Sequence, residues 1–444
     1  MENTKLKKEI SLFVATMLVC GNMIGSGVFM LPATLAQASG PLATMIAWVI
    51  TSIGSILIAI SFANLGSKYP ETGGAYQYTK HAFGDFVGFL NAWLYWNGSW
   101  IGNAAIIVAL TSYSAALIPA LQDPLVSIIF SSAILWLFTF INIVNVKKAG
   151  RFQAFATVFK IGFFAVFAVI AFFSFDPNNF YPLMPEGKGL STIPLAAAST
   201  LWAFVGLESA AVTAGEIKDP EKNVRKSTIY GILLAAFIYI LISIASIGAL
   251  PNEVLAQSTA PFTDIMAVVL GSEIARPISV AIVICILGTT MGWLLSTARV
   301  AYAAGRDGIF PKFFGKLSPK YNSPVNALII GSVLVNLLLI MNYRESMVEA
   351  FTFIIILATL SFLPIYLLTA SAEIFLMFKG AKEFNFKIFI TKAIIPLLAF
   401  IYTIWTIYGS GEETVMWGFI MMLLGIPFYI YNYHVNQAKA EKSE

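Results

Sequence analysis

The stretch Gly21–Phe29, which reads GNMIGSGVF, places three glycines within seven positions of a long apolar segment. Each glycine costs about 1 kcal/mol of helix propensity relative to alanine, and a helix broken at membrane depth leaves polar backbone groups that lipid cannot satisfy. Amides at the start of a half-helix attract an anion, and unwound carbonyls accept from an amine. The pattern therefore predicts a broken helix with a site for a zwitterion, the alternative being close packing of helices through small residues.

Two charged side chains also lie inside apolar segments. Glu208 follows Gly206 in the stretch TLWAFVGLESAAVTAG at 200–215, and Lys160 lies in FKIGFF at 159–164. A charge in hydrocarbon costs roughly 2.5 kcal/mol or more, so a retained charge commonly faces a cavity. The alternatives are that Glu208 caps unwound backbone near Gly206, and that Lys160 snorkels toward the membrane surface.

The composition identifies the kind of protein that must position these residues. The chain of 444 residues is 58% hydrophobic and only 11% charged, whereas a soluble protein carries about 25% charged residues. This indicates a polytopic membrane protein. Its formal charge of +4 does not indicate nucleic acid, because the basic residues lie in short loops. The two cysteines and two histidines, Cys20, Cys285, His81 and His434, form no metal or triad motif, so we expect no metal and no cofactor.

Hydropathy predicts twelve spans of near or above the roughly 20 residues that cross a bilayer. With the N-terminus in the cytoplasm, 23 of the 27 Lys and Arg residues lie on the inner side, in connections or near the inner ends of spans; the other four are Lys160 within a span and Lys188, Arg276 and Arg344 on the outer side. The positive-inside rule therefore predicts that both termini are cytoplasmic. The predicted spans are 11–33, 42–64, 86–117, 124–145, 152–174, 193–215, 228–250, 276–300, 325–342, 348–378, 389–409 and 415–434.

The positions of the two interruptions indicate internal symmetry. The second interrupted span lies five spans after the first, and an odd offset inverts topology. Residues 11–174 and 193–378 are thus predicted to be inverted five-helix repeats that meet at two broken helices, with 389–434 forming two peripheral helices of a single transporter domain. This expectation comes from hydropathy and breaks alone, because no residue-level repeat is visible.

Several motifs carry a family resemblance. GNMIGSGVFMLP at 21–32, YPETGGAYQY at 69–78, LYWNGSWIGNAA at 94–105, LWAFVGLESA at 201–210 and the stretch 292–311 all resemble the amino acid/polyamine/organocation transporters. The closest group is the bacterial basic amino acid/polyamine antiporters, which exchange arginine for agmatine, lysine for cadaverine or ornithine for putrescine. The resemblance implies an all-α fold of twelve transmembrane helices with a five-plus-five inverted repeat, discontinuous first and sixth helices, and alternating access.

The resemblance also implies roles for particular residues. Amides at Ser26 and Gly27 would hold the substrate carboxylate, and carbonyls around Met23, Trp202 and Val205 would hold its amine. Trp202 would be an outer gate and Trp293 an inner platform for a cationic side chain, the alternative being interfacial or core tryptophans. The matching side-chain pocket is Gly98, Ser99 and Asn103, although Ser and Asn also bond between helices.

Three further residues are expected at gates or in proton coupling. Tyr95 lies one turn from the side-chain pocket, and Glu208 matches a gate residue of the family that responds to protons. Lys160 departs from the antiporters, which carry an apolar residue there. At the same position, several proton-coupled or sodium-independent transporters of the wider superfamily carry a lysine. It lies at the place where sodium-coupled relatives bind a sodium ion. The resemblance implies that Lys160 makes transport sodium-independent and couples it to protons.

Two departures bear on the substrate. Arginine exchangers carry a serine in the tenth span and a tyrosine just after its proline, where this chain has Leu357 and Ile365. The missing groups weaken arginine as substrate and favour ornithine, lysine, putrescine or a neutral amino acid.

The sequence thus predicts a secondary active transporter of the bacterial inner membrane that exchanges a cationic amino acid for an amine or another amino acid. The alternative mechanism is proton-coupled, sodium-independent symport. No ATP-binding motif is present, so uphill transport must use an exchanged solute or an ion gradient. An enzyme would need a polar cluster that the spans lack, a channel has no need of two broken helices, and a sensor would often carry a soluble extension. The expected partners are amino acids or amines and membrane lipid, with a homodimer left open.

Overall fold

The computed structural model describes residues 10–70, 73–144, 146–214, 217–321, 323–342, 347–379 and 386–440. Within these ranges the regular secondary structure is helical, apart from one isolated bridge between Ile10 and Ile217. Arg344, which was predicted to lie in an outer loop, is outside the described residues. Both extreme termini lie outside them as well, so the predicted cytoplasmic location of the termini stays a prediction.

Seven α-helices of the described chain precede residue 175. The first spanning segment is divided in two, and a nine-residue helix that hydropathy did not predict lies between the second and third long helices. These helices are α1 (Leu12–Met23), α2 (Gly27–Ala38), α3 (Pro41–Lys68), α4 (Ala75–Phe83), α5 (Asp85–Ala115), α6 (Pro124–Val144) and α7 (Val146–Ala171).

Ten helices follow residue 190, and again one spanning segment is divided. They are α8 (Ile193–Leu201), α9 (Ser209–Val212), α10 (Pro220–Ala249), α11 (Asn252–Gln257), α12 (Pro261–Leu270), α13 (Ala275–Arg306), α14 (Val325–Asn342), α15 (Met347–Phe378), α16 (Phe386–Gly409) and α17 (Glu412–Ala440). The short helices α11 and α12 lie in a stretch that was predicted to be a loop.

Nine helical segments of the described chain are long and apolar enough to cross a membrane, if α1 and α2 are taken together. The predicted spans 86–117, 193–215 and 325–342 correspond to α5, to the divided helix α8–α9 and to the 18-residue helix α14. These three are not among the nine, because α5 is more polar, the α8–α9 segment is broken and α14 is shorter. The chain is therefore an all-helical membrane protein, and the number of twelve spans stays a prediction.

The core is built by long helices that pack across the two halves of the sequence. α3 packs against α10, α5 packs against both α13 and α15, and α7 packs against α13. Hydroxyl groups inside this core bond to the carbonyl one turn earlier, as Thr111 does to Ile107 at 2.9 Å and Thr139 to Leu135 at 2.8 Å. These local bonds satisfy side-chain polar groups where water is absent.

The two ends of the helix bundle are distinct. One end, the α4 end, contains α4, the start of α5 and the loop after α13, which are joined by a hydrogen bond from Tyr76 to Asp307. The other, the α12 end, contains α11, α12 and the C-terminus of α2, where Lys188 and Asn252 both donate to the carbonyl of Ala36 at 2.7 and 3.2 Å.

Candidate functional site

The first spanning segment is broken over residues 24–26, as the glycine pattern predicts. α1 ends at Met23, and α2 begins at Gly27 after a turn in which Gly25 donates to the carbonyl of Met23 at 2.7 Å. The first amides of α2, at Gly27 and Val28, have no acceptor within their own helix. They point their partial positive charge into the protein at mid-length of the segment, which favours an anion there.

The second break lies between α8 and α9. Trp202–Phe204 form a single turn of tighter helix, and Val205 then leaves the helix while its amide donates to the carbonyl of Trp202 at 3.2 Å. Gly206 follows with φ +110°, a backbone conformation that side chains disfavour. Glycine therefore allows the reversal here, and the sequence signal that predicted this break is correct.

The two breaks contact each other directly. Asn22, in the last turn of α1, donates through Nδ2 to Ser209 Oγ at 2.9 Å, and Ser209 donates to the carbonyl of Gly206 at 2.6 Å. A methyl group at Gly206 would lie 3.0 Å from the carbonyl carbon of Asn22. The close approach of the two unwound segments thus depends on a glycine and on a hydrogen bond that the sequence did not indicate.

A small cavity lies where the breaks meet. Ser26 on its wall is 1% exposed, and its hydroxyl has no hydrogen-bond partner within the described residues. The cavity brings together six of the nine predicted substrate-binding residues, together with Asn22, Gly25, Ile106 and Thr289. Those six are Met23, Ser26, Gly27, Trp202, Val205 and Trp293.

Trp202 fills the space between α2 and α5. A methyl group at Gly27 would lie 2.7 Å from Cδ1 of the Trp202 ring, and one at Gly102 would overlap the far edge of the same ring. The two glycines therefore provide the slot in which the indole lies. The sequence left close packing through Gly27 as an alternative to a broken helix. Both are present, because Gly27 packs against Trp202 and the helix is also broken.

A wide cavity lies between the small cavity and the α4 end. Its walls come from α1, α4, α5, α9 and α13, and Asn22 and Trp293 belong to the walls of both cavities. Tyr76 and Tyr95 lie on its wall as well. The two cavities thus adjoin at Trp293.

The predicted side-chain pocket on α5 lies outside the described walls of both cavities. Gly98 packs closely against Phe362 and Ser361 of α15, and Ser99 donates to the carbonyl of Tyr95 at 2.7 Å. Asn103 donates to Thr297 of α13 at 3.0 Å, which is the interhelical bonding left as an alternative, and its Oδ1 has no partner among the described residues.

Glu208 is completely buried and joins three spanning segments. Its carboxylate accepts from Tyr95 of α5 at 3.0 Å, from Tyr366 of α15 at 3.3 Å and from the amide of Gly206 at 3.2 Å. The capping of unwound backbone that the sequence left as an alternative is present, and so are two bonds to other helices. Tyr366 was not predicted as a site residue.

Lys160 is only 2% exposed, which excludes snorkelling to the surface. Its ammonium donates to the carbonyl of Ile24 in the first break and to Thr289 of α13 at 2.9 Å. Within the described chain it forms no ion pair with a carboxylate. A buried cation thus holds the unwound end of α1 against α13.

Another buried carboxylate was missed in the hydropathy reading. Glu373 of α15 is 2% exposed and accepts from Asn64 of α3 at 2.8 Å. The average over the long apolar span concealed this single charge. Leu357 and Ile365, the two departures in the same span, are both buried apolar side chains.

Paired broken helices around an internal cavity are typical of a membrane transporter. The family model of the amino acid permeases matches residues 10–430. The chain therefore belongs to the amino acid permease family.

Relatives with described functions match along the whole chain. The chain is 31% identical to a Bacillus subtilis protein whose name proposes arginine/ornithine antiport, with full coverage of both chains. It is 30% identical to an arginine/agmatine antiporter of Chlamydia abortus, over 96% of this chain and 90% of that one. It is also 29% identical to the putrescine transporter of Escherichia coli, over 93% of this chain and 94% of that one. The names of these relatives thus include both amino acids and amines.

Proposed function

We propose that this protein is a secondary active transporter that exchanges a cationic amino acid for an amine or another amino acid. The observation that carries the proposal is the hydroxyl of Ser26, which is buried at the start of α2 without a partner in the described chain. A buried polar group without a partner costs free energy unless a ligand binds it. Together with the first amides of α2, this hydroxyl fits a substrate carboxylate.

The remaining contacts of the proposed substrate follow from the two breaks. Carbonyls near Met23 and Val205 would accept from the α-amine, and the indole of Trp293 would lie beside a cationic side chain. A desolvated cation over an indole gains up to about 2 kcal/mol. The α5 residues Gly98, Ser99 and Asn103 lie outside the described walls of the two cavities and are not among these proposed contacts.

We also propose alternating access through twelve spans, with 11–174 and 193–378 as inverted repeats and 389–434 as peripheral helices. The packing supports this, since exchange of the two halves maps the contacts onto one another. Two contacts join equivalent helices of the two halves, α3 with α10 and α6 with α14. Two others are exchanged for each other: the contact of α1 with α10 corresponds to that of α8 with α3, and the contact of α7 with α13 corresponds to that of α15 with α5. In this proposal Trp202 closes the site toward the α12 end, which faces outward, while the α4 end faces the cytoplasm of a bacterial cell.

A second candidate mechanism is proton-coupled, sodium-independent symport, and the buried ammonium of Lys160 favours it. The ammonium binds the carbonyl of Ile24 without a carboxylate partner among the described residues. In that position it performs the bridging that a bound cation would perform between the first break and α13. Loss of its proton would remove the charge and weaken the bridge, which is how such a residue would couple transport to protons.

The proposal is tested with purified protein in sodium-free liposomes without a pH gradient. Separate batches are loaded with arginine, lysine, ornithine, putrescine, agmatine or leucine, and influx of each labelled amino acid is followed. We expect influx to depend on a cationic solute inside and to be slow with leucine. Equal influx for all internal solutes, including none, would contradict exchange.

A further inference from the structure

The wide cavity contains two polar side chains that the proposed substrate site does not use. Asn91 of α5 lies on its wall, is 0% exposed, and has no hydrogen-bond partner within the described residues for either polar side-chain atom. Arg299 of α13 lies on the same wall and forms no ion pair there in the described chain. An unpaired guanidinium and an unpaired amide in one cavity are complementary to a ligand that accepts hydrogen bonds.

The charges around Arg299 leave its guanidinium available. Asp307, the acidic residue that follows α13, accepts a hydrogen bond from Tyr76 and pairs with Arg306 at 3.4 Å. Glu208, which bonds to Tyr95 on the cavity wall, is a further acidic group among the described residues and is bound by two tyrosines and by backbone. The planar guanidinium, with five donors, matches a carboxylate in a two-bond geometry.

The sign of this charge bears on the substrate. A diamine carries two positive charges and no carboxylate, so Arg299 repels it along the whole cavity. A cationic amino acid carries a carboxylate that Arg299 attracts while its side chain points away. An arginine on the route of a transporter for cations therefore distinguishes the amino acid from its decarboxylated product.

We infer that Arg299 and Asn91 form a second, transient site that binds the α-carboxylate of an amino acid between Trp293 and the α4 end. The inference rests on the proposed function and adds a preference to it. An amino acid that leaves the amides of α2 passes Trp293 and reaches a second carboxylate site, whereas a diamine finds no partner there. The site acts on one side of the membrane only, because Arg299 lies on the α4 side of Trp293.

The test compares Arg299→Gln with wild type in membrane vesicles of both orientations. At the α4 face we expect the KM for ornithine to rise roughly fivefold, the effect of losing a charge pair in a water-accessible cavity. Inhibition by putrescine at the α4 face should be as strong as in wild type or stronger. The KM for ornithine at the α12 face should stay within about twofold of the wild-type value. Arg299→Lys, which keeps the charge, is intermediate, and Asn91→Ala raises the same KM by about twofold.

Arg276→Gln is the matched control, because Arg276 is an exposed arginine at the opposite end of the same helix. Equal effects of Arg299→Gln on ornithine and putrescine, or equal effects at both faces, would overturn the second site while leaving exchange intact. Absence of exchange of any of the cationic amino acids in the wild type would overturn the proposed function and, with it, this inference.

Discussion

The ammonium of Lys160 donates a hydrogen bond to the carbonyl of Ile24, the residue at which the first spanning helix stops. The break in that helix frees carbonyls that lipid cannot satisfy. A side chain from α7 supplies the missing donor, and its second bond, to Thr289, ties the same point to α13. The broken helix and the buried lysine are therefore one structural unit.

This relationship predicts the effect of replacing Lys160. Lys160→Met has a similar length and no donors, so it leaves the Ile24 carbonyl buried without a partner, which costs about 1–3 kcal/mol. We expect exchange to fall at least tenfold, while wild-type exchange is the same in sodium and in choline. Thr289→Val, which removes one acceptor and keeps the Ile24 bond, should cause a smaller loss. Sodium stimulation of the wild type would contradict the role given to Lys160.

Glu208 predicts a change in pH dependence. Glu208→Gln keeps the shape of the side chain but cannot change its charge, so we expect slower exchange, by about tenfold, and a flatter dependence of rate on pH. The measurement is the ornithine exchange rate at several pH values. Glu373→Gln is the control, because Glu373 is also a buried carboxylate but accepts from Asn64 of α3, whereas Glu208 accepts from the backbone of the second break. If both variants keep the wild-type profile, Glu208 has only a structural role.

The slot around Trp202 gives a steric prediction. Gly102→Ala places a methyl group against the ring and displaces it from α2, so exchange should fall by more than tenfold while the protein still folds. Gly102→Ala combined with Trp202→Leu should recover part of the substrate binding, because the smaller side chain fits beside the methyl group. Gly162→Ala, also in a helix but with open space around it, serves as the control. Normal exchange by Gly102→Ala would show that the position of Trp202 is unimportant.

Tyr76 predicts how stability depends on pH at the α4 end. Burial and the hydrogen bond to Asp307 raise the pKa of Tyr76 above its ordinary value of 10.0. A raised pKa in the folded protein means that the stabilisation is complete below pH 10 and decreases as the pH rises above it. The difference in Tm between wild type and Tyr76→Phe should therefore be constant up to about pH 9 and shrink above pH 10. Tyr408→Phe is the exposed control, and a constant difference across this range would contradict the bond.

The breaks could be predicted because their signals are local. Gly21, Gly25 and Gly27 lie close together in the sequence, as do Gly206 and Glu208. These neighbouring residues alone show that a continuous helix is unfavourable, without knowledge of the helices that pack against it. The bonds that join the breaks, from Asn22 to Ser209 and from Tyr366 to Glu208, are between distant segments and depend on helix rotation. Sequence alone does not define that rotation.

α5 shows why the side-chain pocket was harder to predict. Almost every residue from Gly98 to the end of this helix is buried, so no polar stripe marks the side that faces the cavities. Gly98 and Ser99 consequently face α15 and their own helix rather than a cavity. The short helices α11 and α12 were missed for a related reason, since ten residues or fewer show too little periodicity.

Exchange itself is tested most directly by a single comparison in sodium-free liposomes. Influx of labelled ornithine is measured into vesicles loaded with unlabelled ornithine, and into empty vesicles with an inward proton gradient. The proposed antiport predicts rapid influx only into the loaded vesicles. Influx into the empty vesicles driven by the proton gradient would contradict antiport and make Lys160 the coupling residue of a symporter.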